Sequence, residues 1–285
     1  MKEYDVITVG AGPAALSCAI YLCRGGKSVL CISNGKSALE GDMKIENYFG
    51  FGSISGSELL KIGTEQAKKL GAEIKNGEVV GVQMGQSGYT VFTSDGEYRC
   101  KKLLIATGRT QSVPKIDGLD GFIGRGVSFC AVCDGFLYRN KKIAVLGNGV
   151  YAKHECEVLM QMGCGVTLFT NGKELDGIDF PFVIKDKIAS LSGDERINAV
   201  CLENGEKIEI SAFFVAEGTA GATDLARKIG IFTSDDGKYI ITDKNGRTNA
   251  PGVYAAGDCT GGFCQVATAV SSGALAANEI LSELR

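Results

Sequence analysis

The chain has 285 residues, of which 45% are hydrophobic and 22% charged, and its formal net charge is −3. This length predicts one or two globular domains, and the slight acidity argues against nucleic acids and anionic membranes, which attract clustered Lys and Arg. Glycine, at 40 residues, is about twice as frequent as usual. No run of 18 apolar residues occurs and no signal peptide precedes the first strand, so we expect a cytoplasmic protein.

The first predicted elements form a βαβ unit. They are a strand, a helix and a strand, over residues 5–9, 14–24 and 28–33. Between the first strand and the helix, Gly10, Gly12 and Ala15 occupy the G-x-G-x-x-G/A positions that let a backbone approach a pyrophosphate at a helix N-terminus. A tight strand–helix turn without a ligand is the alternative for any single motif of this kind.

An antiparallel meander is predicted next, followed by a redox motif. The three meander strands are 78–84, 89–93 and 97–104, and the last leads into Thr107-Gly108. Cys130 and Cys133 then stand in a Cys-x-x-Cys directly before Asp134, a spacing that places two sulfurs within bonding reach beside a proton-carrying group. This pattern predicts a redox-active disulfide. The alternative is half of a zinc site, for which the chain has no second Cys-x-x-Cys and only one histidine, His154.

A second βαβ unit and a second meander follow. The predicted elements are a strand over 142–146, a glycine loop over 147–152, a helix through Met162, a strand over 166–170, a hairpin over 200–210 and a strand over 213–216. A strand ending near Gly257-Asp258 and a helix over 267–282 close the chain. The fold class is therefore predicted as α/β, with two Rossmann-like domains, each a three-layer arrangement of parallel sheet plus β-meander, the second inserted in the first.

Five segments in chain order give the sequence a specific resemblance. They resemble the low-molecular-weight thioredoxin reductases: Gly10-Ala11-Gly12-Pro13-Ala14, Glu46-Asn47-Tyr48-Phe49-Gly50, Ala106-Thr107-Gly108, Cys130-Ala131-Val132-Cys133-Asp134-Gly135 and Ala255-Ala256-Gly257-Asp258. The resemblance implies a discontinuous FAD-binding domain over 1–114 and 246–285, an inserted domain over 115–245 that carries the dithiol, a homodimer, and thioredoxin as the disulfide substrate.

The resemblance also implies a set of FAD contacts. These are Gly10, Gly12, Pro13, Ala14, Ser33, Asn34, Gly41, Asp42, Asn47, Ala106, Thr107, Gly108, Gly257, Asp258, Gln265 and Val266. The acidic residue expected for the ribose about 20 positions after the first glycine loop is missing, because Ser33-Asn34 stand there. By the same resemblance Cys133 is the flavin-proximal sulfur, Cys130 the interchange thiol and Asp134 the proton donor and acceptor. A helix-capping aspartate is the alternative for Asp134.

The second glycine loop departs from the family pattern. No Arg or Lys cluster for a 2′-phosphate and no acidic residue for an NADH ribose follow its strand at Thr170-Asn171. Tyr151 would crowd a pyrophosphate, and 171–197 shows little helical periodicity. These departures predict a degenerate nucleotide pocket. With such a pocket the chain most resembles the ferredoxin-dependent flavin thioredoxin reductases, and this resemblance implies electrons from reduced ferredoxin. An NADPH-dependent reductase, an oxygen-using flavin dithiol oxidase and a flavin-binding interaction protein are the alternatives.

Overall fold

The computed structural model describes residues 2–39, 44–108, 114–218, 220–235 and 237–284. The strands are β1 Glu3–Val9, β2 Val29–Ser33, β3 Lys44–Ile45, β4 Ile54–Ser55, β5 Glu73–Asn76, β6 Val79–Gly85, β7 Gly88–Thr93, β8 Gly96–Ile105, β9 Val127–Ser128, β10 Lys142–Leu146, β11 Gly165–Phe169, β12 Val183–Ile184, β13 Ile188–Gly193, β14 Ile197–Leu202, β15 Lys207–Glu209, β16 Ala212–Val215 and β17 Val253–Ala255. The α-helices are α1 Pro13–Arg24, α2 Gly56–Lys69, α3 Ala131–Asp134, α4 Val150–Gln161, α5 Ala222–Lys228 and α6 Val266–Glu283.

The chain divides into two compact units. The first comprises Met1–Thr110 and Gly221–Arg285, and the second comprises Gln111–Ala220. The second unit is therefore inserted in the first, and its boundaries differ from the predicted 115–245. Residues 221–245 pack within the first unit, where the Lys228 Nζ donates to the Val80 carbonyl at 2.9 Å and the Ile240 amide donates to the Cys259 carbonyl at 2.9 Å.

The first unit is built on a sheet with the order β5-β2-β1-β8-β7-β6, with β17 also paired to β8. The pairs β5–β2, β2–β1, β1–β8 and β8–β17 are parallel, whereas β6, β7 and β8 run antiparallel as the predicted meander. The central strands are buried on both faces, as expected where helices cover a parallel sheet. The predicted α/β fold class is confirmed.

Helices α1 and α6 pack closely against each other in the first unit. A Cβ added to Gly273 of α6 would lie 2.1 Å from the carbonyl oxygen of Ala14 in α1, so only glycine permits this approach. The Ser17 hydroxyl of α1 donates to the Val270 carbonyl of α6 at 2.8 Å. This packing places the N-termini of α1 and α6 in fixed positions within one unit.

The second unit contains a parallel sheet with the order β12-β11-β10-β16-β9 and a separate antiparallel sheet β13-β14-β15. The two units therefore differ in how the meander joins the Rossmann sheet. In the first unit the ten-residue β8 is long enough to pair with both β7 and β1. In the second unit β15 has three residues and ends before β16 begins, so the meander forms its own sheet.

Helix α2 has no counterpart among the predicted elements. Only Gly56 and Ala67 of its residues are buried, so most of its side chains are exposed or part-exposed. The available signal is Ser55, whose hydroxyl caps the helix by accepting from the Glu58 amide at 3.1 Å, in a Ser-x-x-Glu pattern. Within the described ranges, the structure has no helix that is long and apolar enough to cross a membrane.

Candidate functional site

The first glycine loop leaves the N-terminus of α1 open. Gly10 has φ +112°, and a Cβ there would lie 2.3 Å from the Ala106 carbonyl oxygen, so this position requires glycine. Gly12 is the N-cap, and a Cβ there would meet no atom within 4 Å. Helix α1 begins at Pro13, receives no side-chain cap and has no acidic residue in its first turn. The partial positive charge of the helix N-terminus is thus available to an anion.

Four parallel strands end at the same edge as this loop. Successive strand ends are joined by backbone hydrogen bonds from Gly10 to Ile32 at 2.7 Å, from Ala106 to Val9 at 2.9 Å, and from Ala256 to Ile105 at 3.1 Å. The sequence-predicted flavin contacts that follow these strands are Gly10, Ser33, Asn34, Ala106, Thr107, Gly108, Gly257 and Asp258. Because ligands of open α/β sheets bind beyond the carboxyl ends of parallel strands, this edge is the expected binding crevice.

A side-chain hydrogen bond joins two further predicted contacts. The Asn47 Nδ2 donates to the Gln265 Oε1 at 2.9 Å, although the two residues are 218 positions apart. Gln265 is the N-cap of α6 and Val266 is the first residue of that helix. The structure therefore brings Asn47 next to Gln265 at the start of α6. Two other predicted contacts, Gly41 and Asp42, lie outside the described residues.

At the end of β2, Ser33 and Asn34 stand in place of the acidic residue that was expected for the ribose. The Ser33 hydroxyl accepts a hydrogen bond from the Gly35 amide at 3.2 Å, and the Asn34 Oδ1 accepts from the Lys36 amide at 3.1 Å. Both side chains form local turns with their own backbone. An adenine dinucleotide still fits the rest of the crevice, because the uncapped helix N-terminus and the open face of Gly12 are what a pyrophosphate requires.

The redox motif forms a disulfide in the second unit. Cys130 and Cys133 are bonded to each other, and their Cα atoms are 5.3 Å apart. Cys130 is the N-cap of α3, and its Sγ accepts a hydrogen bond from the Cys133 amide at 3.2 Å. Cys130 is 3% exposed, whereas Cys133 is exposed. An incoming group therefore reaches the Cys133 sulfur first, and the N–H donor stabilises negative charge on the Cys130 sulfur.

Asp134 is linked to the disulfide through a residue that the sequence did not single out. The Ser128 hydroxyl donates to the Asp134 Oδ2 at 2.6 Å and accepts from the Cys130 amide at 3.1 Å. Ser128 is buried at the end of β9, and Asp134 is half-buried at the end of α3. This contact argues for more than a capping role, because the carboxyl group faces the turn that holds the disulfide. The signal that the sequence offered for Ser128 was its position two residues before the first cysteine.

Exposed apolar side chains lie near Cys133 in the sequence. Val132, Phe136 and Leu137 are exposed by 46%, 65% and 54%, and they flank Cys133 in sequence. Gly135 lies between them, and a Cβ there would come within 2.7 Å of the Leu159 and Met162 side chains. The turn is therefore packed against α4 on one side and presents hydrophobic surface on the other. Exposed hydrophobic clusters of this kind mark protein contact sites.

The second glycine loop is hydrogen-bonded to a later segment of the same unit. The Asn148 Nδ2 donates to the Glu174 carbonyl at 2.8 Å, and the Asp176 amide donates to the Asn148 carbonyl at 2.8 Å. The segment 172–176 thus binds the middle residue of the loop through both its side chain and its backbone. Tyr151, which was expected to crowd a pyrophosphate, is itself only 1% exposed.

Charged side chains near this loop form ion pairs with each other. Lys173 forms an ion pair with Glu217, and Lys185 pairs with Glu174 at 2.7 Å. At the end of β11, Asn171 adopts φ +52° and its Oδ1 accepts from the Ile188 amide at 2.8 Å. The residues that would read a nucleotide ribose or its phosphate therefore hold the local fold instead. Residues 171–197 contain only short strands and no helix.

Comparisons with known proteins agree on one family. Residues 4–273 match the family model described as pyridine nucleotide-disulphide oxidoreductase. A thioredoxin reductase of Treponema pallidum is 35% identical over 98% of this chain and 97% of its own length. The chain belongs to the low-molecular-weight thioredoxin reductase family.

Two solved structures extend the comparison. The atypical thioredoxin reductase TRi from Desulfovibrio vulgaris Hildenborough is 36% identical, with a TM-score of 0.92 over 99% of this chain and 97% of that chain. A ferredoxin-flavin thioredoxin reductase from Clostridium acetobutylicum is 30% identical, with a TM-score of 0.74 over 100% of this chain and 99% of that chain. Both similarities span both units of the chain.

The other cysteines of this family member have properties unlike those of the redox pair. Cys18, Cys31, Cys156 and Cys164 are buried, whereas Cys23 and Cys201 are half-buried. Cys259 is buried and Cys264 is half-buried. Burial raises the pKa of Cys31 to about 11 and the pKa of Cys259 to about 12. Thiols with such high pKa values are poor nucleophiles at neutral pH.

Proposed function

We propose that this protein is a flavoprotein disulfide reductase that reduces thioredoxin, or a thioredoxin-like protein, through FAD and the Cys130–Cys133 pair, with electrons from reduced ferredoxin. FAD would lie in the first unit, at the strand edge with Gly10 and Gly12, and the dithiol belongs to the inserted second unit. The observation that carries the proposal is a disulfide in a Cys-x-x-Cys turn within a chain of this family. When bound, FAD supplies the two electrons that the disulfide needs.

The geometry of the turn supports a different role for each of the two sulfurs. Two electrons delivered at the Cys133 sulfur would break the S–S bond and leave both sulfurs free, Cys133 as a thiol after it takes up one proton and Cys130 as a thiolate stabilised by the Cys133 amide. That thiolate then attacks one sulfur of the thioredoxin disulfide, whose other sulfur departs with an electron pair. Cys133 attacks Cys130 in the resulting mixed disulfide and releases dithiol thioredoxin. Because Cys130 is 3% exposed while oxidised, this exchange requires the turn to open.

Proton transfer and docking involve neighbouring side chains. Each thioredoxin sulfur must gain a proton after it departs, and the Asp134 carboxyl group, held by Ser128 at 2.6 Å, is positioned to carry one. The exposed Val132, Phe136 and Leu137 provide an apolar surface beside Cys133 for the substrate protein. The homodimer implied by the resemblance and the cytoplasmic location expected from the sequence remain predictions.

The hydrogen bonds between the second loop and the segment 172–176 support ferredoxin over NADPH as the electron donor. The segment 172–176 is bonded to the side chain and the carbonyl of Asn148, so it lies against the loop that a pyrophosphate would have to approach. A 2′-phosphate needs a cation, and Lys173 is paired with Glu217. Similarity to a ferredoxin-flavin thioredoxin reductase adds support. An NADPH-dependent reductase is the second candidate, because the family model is that of pyridine nucleotide enzymes.

Replacement of the predicted interchange thiol tests the disulfide mechanism. Cys130→Ser should lower thioredoxin reduction by at least about a thousandfold, because the nucleophile is lost, while the flavin content per chain stays unchanged. Cys201→Ser, in a half-buried free thiol of the same unit, is the matched control and should keep full activity. Thioredoxin reduction in C130S at the wild-type rate would contradict the proposed mechanism.

A further inference from the structure

One carboxyl group of the second unit is buried and has no role in the steps above. Glu155 on α4 is 2% exposed, and it is the only Asp, Glu, Lys or Arg in the described residues that is buried. Burial of a charged side chain costs free energy, and a well-packed apolar residue is often at least as stabilising in its place. Stability alone therefore does not explain a glutamate at this position.

The carboxyl group of Glu155 binds the redox turn. Its Oε2 accepts a hydrogen bond from the Ala131 amide at 3.1 Å. Ala131 is the first residue of α3, is 0% exposed, and shares a peptide bond with Cys130. Helix α4, which follows the second glycine loop, is thereby connected directly to the turn that carries the disulfide.

Two side chains hold the backbone on either side of Cys130. Ser128 accepts from the Cys130 amide at 3.1 Å, and Glu155 accepts from the Ala131 amide at 3.1 Å. With both amides fixed, Cys130 stays at the N-cap, where its sulfur accepts from the Cys133 amide at 3.2 Å. That N–H is the group that stabilises the departing Cys130 thiolate.

We propose that Glu155 is a positioning residue for disulfide exchange: by accepting the Ala131 N–H, its carboxyl oxygen fixes the turn in the conformation from which Cys130 departs as a thiolate. The inference rests on the proposed redox role of the Cys130–Cys133 pair. When a thiolate such as that of dithiothreitol attacks the pair, it bonds to the Cys133 sulfur, the S–S bond breaks, and Cys130 takes the electron pair. Glu155 gains neither a proton nor an electron. The hydrogen bond, rather than the charge, carries its role.

Two conservative variants separate the hydrogen bond from the charge. Glu155→Gln keeps an acceptor oxygen at the same reach and removes the charge, whereas Glu155→Asp keeps the charge and is one methylene shorter. Glu157→Gln changes an exposed glutamate on the same helix and is the matched control. We expect E155D to lower kcat for thioredoxin about tenfold, the loss expected for one strong hydrogen bond, with KM unchanged. E155Q should remain within about twofold of the wild type.

The second readout is the rate at which dithiothreitol opens the Cys130–Cys133 disulfide in the flavin-loaded protein, followed by mass mapping of the alkylated cysteines. E155D should be slow and E155Q and E157Q normal; Glu155→Ala has the same expected loss and replaces E155D if that variant does not fold. An E155D or E155A protein that matches E157Q in both readouts overturns the inference, and so does an E155Q protein as slow as E155D. A wild-type pair that fails to exchange at all would instead overturn the proposed function.

Discussion

The two glycine-rich loops of this chain have similar backbones and different surroundings. Gly10 and Gly147 both have positive φ, and a Cβ on either would lie within 2.4 Å of a carbonyl oxygen at the end of a neighbouring strand. Gly12 and Gly149 are both N-caps with open space above the Cα atom. Among the described residues, the segment 172–176 is hydrogen-bonded to Asn148 of the second loop, and no equivalent segment is bonded to Ala11 of the first. The motif thus encodes a backbone shape, and a later segment determines whether that shape is available to a ligand.

Matched substitutions in the two loops should have the most unequal effects. Gly12→Val places a branched side chain where a pyrophosphate would approach, in an extended backbone conformation that valine adopts. We expect loss of bound flavin and of at least about 99% of the activity, because the redox cofactor is missing. Gly149→Val makes the same change at the N-cap of α4 and should keep flavin and activity. Flavin absorbance per chain and thioredoxin reduction measure both.

The outcome separates the two loops clearly. Equal loss of activity in G12V and G149V, with flavin retained in G149V, would mean that the second loop also binds a ligand in turnover. Unfolding of both variants by chemical denaturant provides the control, because an unfavourable N-cap residue costs each helix about 1 kcal/mol.

A smaller difference is expected at the starts of the two βαβ units. In the first unit the Asp5 carboxylate accepts from the Ser28 amide and hydroxyl at 2.9 Å and pairs with Lys101 at 2.8 Å. Burial raises the pKa of Asp5, but Lys101 and Ser28 outweigh it and lower the pKa to about 2. The corresponding strand pair of the second unit begins with Lys142 and Gly165, which provide no such carboxylate.

A depressed carboxyl pKa stabilises the fold above the unfolded-state pKa and loses that effect as the pH falls. The Asp5 contribution should therefore be complete above about pH 4 and disappear towards about pH 2, and Asp5→Asn should cost about 1–2 kcal/mol at pH 7, with the exposed Lys101 taken into account. Urea unfolding of the wild type and D5N across this range measures the effect. Parallel pH curves for the two proteins would show that Asp5 does not stabilise the first unit.

The smallest effect is expected from removing the ion pair near the second glycine loop. Lys173→Ala removes a half-exposed partner of Glu217, so we expect a change in unfolding free energy of at most about 1 kcal/mol. Flavin reduction and thioredoxin turnover should be unchanged. Lys185→Ala, in the exposed pair with Glu174, is the control. A selective increase in the KM for NADPH in K173A would identify Lys173 as a phosphate ligand.

The parts of the fold that could be predicted from the sequence are the elements defined by a residue pattern within the element itself or in the adjoining loop. Strand β10 has the predicted bounds, and β1, α1 and α6 lie within two residues of theirs, because unbroken apolar runs and glycine loops define them. Helix α2 was missed, since its residues are mostly polar and part-exposed. The 221–245 segment was assigned to the inserted domain, because the contact between α5 and β6 joins residues far apart in the chain.

The same distinction applies to the site. The bonded cysteines and the glycines at the first strand edge could be recognised from short motifs. Ser128 and Glu155 could not, because their roles depend on hydrogen bonds to backbone amides that only the folded turn aligns. A charged residue among the buried positions Tyr151, Ala152 and Leu159 of α4 was the available signal for Glu155. No pattern in the sequence indicated that residues 172–176 would form hydrogen bonds with Asn148.

In the proposed mechanism, electrons reach the flavin without a nucleotide in the second loop. An anaerobic absorbance titration of the flavin-loaded protein with NADPH, NADH and chemically reduced ferredoxin tests it most directly, with oxidised thioredoxin added afterwards. We predict that ferredoxin alone bleaches the flavin, with two one-electron equivalents per flavin, and that thioredoxin disulfide restores the colour. Rapid bleaching by NADPH, followed by the same reoxidation, would contradict the account and identify an NADPH-dependent thioredoxin reductase.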